Sequence, residues 1–106
     1  MANIWIMTPD KNIIQQVKYD FKLIKYFPNG FECRQFCING IMDYYVVFFD
    51  ADDEGDYNKS AKWIAPFCDV APTGNFIIMR KKWIGEEEHT IEMGITPRDF
   101  KRRYLK

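Results

Sequence analysis

Between Phe31 and Asp50 the hydrophobic positions fall into two β-rich runs, on either side of Asn39-Gly40. Both residues of that dipeptide tolerate φ > 0 and so suit a type I′ turn. The pattern predicts a hairpin of Phe31–Ile38 and Ile41–Asp50. Its two-residue loop would set Ile38 opposite Ile41, Arg34 opposite Tyr45 and Phe31 opposite Phe48. One face then carries Phe31, Cys33, Gln35, Cys37, Met42, Tyr44, Val46 and Phe48. The other carries Glu32, Arg34, Phe36, Ile38, Ile41, Asp43, Tyr45, Val47 and Phe49. The second strand is apolar on both faces, which predicts a central strand covered on both sides.

Before the hairpin, Asn3–Met7 is an apolar run that predicts a first strand. Thr8-Pro9-Asp10 follows, with an N-cap residue, a proline suited to the first helical position and a carboxylate suited to the helix dipole. Ile13, Ile14, Val17, Phe21 and Ile24 fall within an arc of about 100° on a helical wheel, so the spacing predicts a helix from Pro9 to Lys25. A strand competes for the same stretch, because Val17, Tyr19, Phe21 and Leu23 alternate with Lys18, Asp20 and Lys22. After Asp50 come an acidic loop, a short helix over Tyr57–Ala65 stopped by Pro66, and a loop over Phe67–Gly74. Two strands follow, Asn75–Trp83 and His89–Ile95, joined across Gly85-Glu86-Glu87-Glu88. Thr96-Pro97-Arg98-Asp99 repeats the earlier grammar and opens a terminal helix over Pro97–Leu105, anchored by Phe100 and Tyr104. The order β-α-β-β-α-β followed by β-α predicts a single α+β domain over residues 1–106. Its expected form is a ferredoxin-like (split βαβ) sandwich with an added strand and helix; the alternative is an antiparallel meander with helices on one face.

Composition narrows the chemistry. The 106 residues are 47% hydrophobic and 17% aromatic, enough for one real core, and 15 Lys+Arg balance 15 Asp+Glu. Zero net charge argues against a protein whose main task is to coat nucleic acid. Three cysteines, Cys33, Cys37 and Cys68, make a disulfide framework unexpected, and one histidine, His89, leaves no zinc ligand set. Free thiols, no signal peptide and no apolar run longer than Tyr44–Phe49 predict a cytoplasmic protein that does not span a membrane.

Asp50-Ala51-Asp52-Asp53-Glu54-Gly55 follows a hydrophobic run, and carboxylates two apart at a strand end can hold Mg²⁺. This DxDxxG stretch resembles the DxD element of the Toprim nucleotidyl-transfer domain and, over fewer features, the first motif of haloacid-dehalogenase phosphatases. The resemblance covers about ten residues and implies Asp50 and Asp52 as metal ligands of a phosphoryl-transfer enzyme. The first strand offers only Asp10 where the Toprim pattern has a glutamate. That favours the other reading, a solvated loop capping the next helix.

Trp5 between Ile4 and Ile6, and Tyr44–Phe49 as an aromatic-rich strand, resemble the two central-strand motifs of the RNA-recognition-motif family over about the first 80 residues. The resemblance implies stacking of bases on Trp5 and Tyr44. Asp43, Tyr45 and Met42 depart from that family's pattern, and a core role for the aromatics is the competing reading. The last third is basic, with Arg80, Lys81, Lys82, Arg98, Lys101, Arg102, Arg103 and Lys106 as candidates to engage an acidic partner surface or phosphates. Ser60 and His89 have no sequence neighbours that make a nucleophilic dyad.

These features predict a small non-enzymatic binding protein without a cofactor. Its partner is expected to be another protein, in the manner of an accessory or inhibitor protein of bacterial or phage origin. The alternatives are a single-stranded nucleic-acid binder using Trp5, Tyr44 and the basic C-terminal helix, and a Mg²⁺-dependent enzyme at Asp50 and Asp52.

Overall fold

In the computed structural model, which describes residues 2–19, 22, 25–37, 40–52 and 55–105, the expected first strand forms as β1 (Asn3–Met7). It is followed by β2 (Gln15–Lys18), β3 (Phe31–Cys37), β4 (Asp43–Asp50), β5 (Phe76–Ile84), β6 (Glu87–Ile91) and one helix, α1 (Pro97–Tyr104). A single 3₁₀ turn at Lys59–Ala61 stands within the stretch Tyr57–Ala65 where a short helix was expected, and a second, Ala65–Cys68, runs through Pro66, where that helix was expected to have ended. The chain is a small α+β domain with a six-stranded, wholly antiparallel sheet in the order β2-β1-β5-β4-β3. β6 also pairs with β5, at Arg80–Ile84, beyond the stretch Phe76–Ile78 that pairs with β1. β6 and β1 therefore follow one another along the same side of β5, and Asn3 N donates to Glu92 Oε1 where they meet (3.0 Å).

The split βαβ order expected from the sequence is not the order observed. Gln15–Lys18, placed in a helix by its apolar spacing, is a strand with Val17 opposite Ile4. The ladder continues through Tyr19 N to Ala2 O at 2.9 Å. Thr8-Pro9-Asp10 makes one turn, closed by Lys11 N donating to Thr8 O (3.2 Å), and goes no further. The outer edge of β1 needs partners for its main chain, and β2 supplies them. Phe21 and Ile24, on which the helical stripe also rested, lie outside the described residues. The same grammar at Thr96-Pro97 does open a helix. There the Thr96 hydroxyl accepts from Asp99 N (3.1 Å), and Phe100, four residues after the cap, is fully buried.

The hairpin forms with the expected faces but a register two residues longer. Arg34 lies opposite Val47 and Phe31 opposite Asp50. A shift of two leaves every side chain on its face, because the strand period is two. The connection is longer because Met42 is held by β5, its carbonyl accepting from Trp83 N at 2.8 Å. Asn39 lies outside the described residues; Gly40 has φ +78°, the region for which glycine suits a turn.

β4 is buried from Asp43 through Phe49 and separates two apolar layers, as its two apolar faces predicted. On one side Tyr45, Val47 and Phe49 join Trp5, Met7, Phe76 and Ile78, covered by Ile64, Cys68 and Phe100. On the other, Tyr44, Val46 and Phe48 join Ile4, Ile6, Ile77 and Met79, covered by Phe27. The fully buried Asn58 ties the layers' margin together, its Nδ2 donating to Met7 O (3.0 Å) and Gly74 O (2.8 Å). Among the described residues no helix is long and apolar enough to cross a membrane.

Candidate functional site

The distal half of β5 outruns the layers that cover the sheet. Its side chains pass from buried at Phe76–Met79 to exposed at Lys82–Ile84. β4 begins and β6 turns back beside this half, so large apolar side chains at the sheet's end meet solvent. Ile41 is 78% exposed, Ile84 55%, Met42 48% and Trp83 38%. Met42 and Trp83 sit directly opposite one another, on the face of Tyr44 and Met79. Ile84 projects from the other face, opposite Glu87, and Trp83 is opposite Glu88. Glu86, Glu87 and Glu88 are all exposed, so the apolar group has an acidic border. Three groups hold the base of this end rigid. Asp43, 4% exposed, receives Arg80 Nε (3.0 Å) and Nη2 (2.8 Å), and Arg80's pKa is raised by that bond. Tyr44 donates its hydroxyl to Glu88. Lys81, its pKa lowered by burial, donates to Thr90 Oγ1 (2.7 Å) and lies 5.2 Å from the Tyr19 ring centre.

Lys106 lies outside the described residues; the other basic residues singled out in the sequence do not form one surface. Arg80 is committed to Asp43, and Lys81 points to the opposite face of the sheet. Lys82, opposite His89, is exposed. On α1, Arg102 is paired with Asp99, Lys101 lies over the Trp63 ring (4.8 Å) and Arg103 beside Tyr104 (6.0 Å). Arg98 is exposed. Arg80 and α1 do approach one another around the Tyr45–Tyr104 ring pair, whose centroids are 5.8 Å apart. Burial raises the Tyr45 pKa, and its hydroxyl donates to Met93 O (2.7 Å).

Trp5 and Tyr44 are not neighbours. β5 lies between their strands, and the two side chains belong to opposite layers of the core. Trp5 is 1% exposed and edge-on to Phe100 (5.5 Å), and Tyr44 is 7% exposed. Neither offers an open ring face for a base.

Asp50 and Asp52 line a polar cleft of about 370 Å³ with Asp56, Asn75 and Tyr26. Asp50 Oδ2 accepts from Asn75 N (3.0 Å) and lies so close over Gly74 that a Cβ there would meet it at 1.9 Å. Among the described residues no three His, Cys, Asp or Glu converge on a metal position; Asp53 and Glu54 lie outside them. Burial raises the Asp50 pKa, with the neighbouring Asp52 charge adding to it. The folded chain therefore holds the Asp50 proton more tightly than the unfolded chain does. The stability this gives is complete below the ordinary carboxyl range and lost as pH rises through the folded pKa. Asp50→Asn, which keeps an acceptor for Asn75 N, is expected to raise Tm slightly at pH 7 and to leave it unchanged at pH 3. Thermal melts of both proteins across that range check this. A saturable rise in Tm with millimolar Mg²⁺, present in the wild type and absent from Asp50→Asn, would support the metal reading instead.

Ser60 donates its hydroxyl to buried Asn58 (2.7 Å), and His89 is on β6, 3.5 Å from Glu87. The apolar end of the sheet was not singled out from sequence. Its only trace there is Trp83-Ile84 running unbroken into the Gly85–Glu88 turn, with no polar alternation on the outer face. No family model, curated protein or solved structure matches this chain.

Proposed function

We propose that this chain is a non-enzymatic binding protein of the cytoplasm, an accessory or inhibitor type, that acts by covering part of another protein with the exposed end of β4, β5 and β6. The observation that carries this reading is the exposure of Trp83 and Ile84 on the well-paired β5, with Ile41 and Met42 exposed just before β4 at the same end of the sheet. Met42 and Trp83 share one face and Ile84 lies on the other, so the end of the sheet presents apolar side chains on both faces, and exposed apolar groups at one place on a soluble protein are characteristic of interaction sites. Tryptophan flanked by other large apolar groups and bordered by charge is the usual composition of an interface centre and its rim. A strand-borne site is also preorganised, which lowers the ordering cost of binding. The dispersal of the basic side chains, several of them already paired, weighs for a protein partner over nucleic acid.

Immobilised wild type and a Trp83→Ser/Ile84→Asp variant, both folded by circular dichroism, are exposed to nuclease-treated extract of the source cells. The expected result is a protein retained by the wild type and lost by the variant, with affinity reduced about 30-fold or more for an interface centre. Retention that nuclease abolishes, together with salt-sensitive binding to single-stranded oligonucleotides, would replace this reading with the nucleic-acid one.

A further inference from the structure

The outer edge of the sheet carries a self-complementary strand. β3 ends the strand order, and no other described strand pairs with its far side. Residues 31–35 are all exposed. The phase of its main chain is set by Ala51 N, which donates to Gly30 O at 3.3 Å in the same register that pairs Phe31 with Asp50. Main-chain groups alternate in direction along a strand, so Gly30, Glu32, Arg34 and Phe36 turn theirs toward β4. Phe31, Cys33 and Gln35 turn theirs toward the open edge. This is the template on which another strand adds.

We propose that the occupant of this edge is a second copy of the chain, whose β3 pairs antiparallel about a two-fold axis through Cys33. A symmetric pair of strands sets residue i opposite a residue fixed by the centre, so each centre makes a different charge pattern. Centring on Glu32 or on Arg34 sets like charges directly opposite, which is destabilising. Centring on Gln35 sets Arg34 against Phe36 and leaves Glu32 without a basic partner. Centring on Cys33 sets Glu32 opposite Arg34 of the other copy, and Arg34 opposite its Glu32. These fall at the non-hydrogen-bonded positions, where side chains approach most closely. Among the described residues neither Glu32 nor Arg34 has an ion-pair partner within the chain, so both are free to pair across the axis. The exposed edge is guarded by charge in the usual way, but with opposite signs two residues apart. That arrangement opposes most added strands and favours a second copy in one register.

The same register brings the two Cys33 residues together at a hydrogen-bonded pair, where Cα atoms lie about 5.5 Å apart, inside the range a disulfide spans. Cys33 is exposed and free. Sedimentation of the wild type at about 100 μM is expected to show a dimer, and Glu32→Arg or Arg34→Glu alone is expected to weaken it about tenfold. Glu32→Arg with Arg34→Glu reverses both pairs together and is expected to restore it. Diamide, which takes up two protons and two electrons from the two thiols, is expected to link the copies covalently in the wild type and not in Cys33→Ser. A wild-type monomer at that concentration would overturn the proposal. So would a dimer indifferent to the single reversals, or cross-linking that persists in Cys33→Ser.

Discussion

Replacing Phe100 by alanine is expected to destabilise the protein by about 3–5 kcal/mol, the range for truncating a fully buried phenylalanine. Phe100 is 0% exposed. The rings of Trp5, Phe36, Tyr45, Trp63 and Tyr104 have their centroids 5.0–5.9 Å from its own. Those rings come from β1, β3, β4, the 3₁₀ region and α1, so one side chain closes the layer over one face of the sheet. The cavity left by alanine could shrink only if α1 moved inward. Thr96 and Pro97, which fix where the helix starts, oppose that movement. Chemical denaturation of the variant checks the magnitude. A loss below about 1 kcal/mol would mean that α1 is not packed as described. Tyr104→Ala, at the half-buried end of the same helix, is expected to cost less.

The second large effect is expected at Asp43 and Arg80. Arg80→Met would remove the two guanidinium donors that Arg80 gives to a carboxylate 4% exposed, and with them the ion pair that offsets its buried charge. Breaking one side of a buried pair costs about 3–5 kcal/mol; partial exposure of the arginine places this case at about 3 kcal/mol. Asp43→Leu with Arg80→Met is expected to regain part of that loss, because the carboxylate and the guanidinium are removed together. Denaturant midpoints of the single and double variants check the comparison. The pair also orders the base of the exposed apolar end, so Arg80→Met is expected to weaken partner capture before it unfolds the chain at moderate temperature.

The hairpin was legible because both of its signals are local. Strand periodicity on either side of the turn assigned the observed faces over Phe31–Phe36 and Tyr44–Phe49, and the run of apolar residues in β4 announced a strand covered on both sides. The C-terminal helix was legible for the same reason, since Thr96, Pro97 and Asp99 act within one turn. The stretch after Thr8 carried an equally good start signal and failed. Its apolar residues satisfy a strand period as well as a helical one, and the open edge of β1 decided between them. The basic candidates were visible as residues but not as a surface, because pairing with Asp43 or Asp99 depends on neighbours that only the folded chain supplies.

By itself the sequence determined the strand faces, the start of the last helix and the presence of one aromatic-rich core. These follow from backbone periodicity and capping, which act over a few residues. Tertiary structure alone decided that β1 and β6 share one side of β5, that Trp5 and Tyr44 belong to opposite layers, and that Ile41, Met42, Trp83 and Ile84 meet solvent together. An apolar residue in a strand has the same local pattern whether its face is covered or bare. Cover comes from segments distant in the chain, and over the far half of β5 it ends.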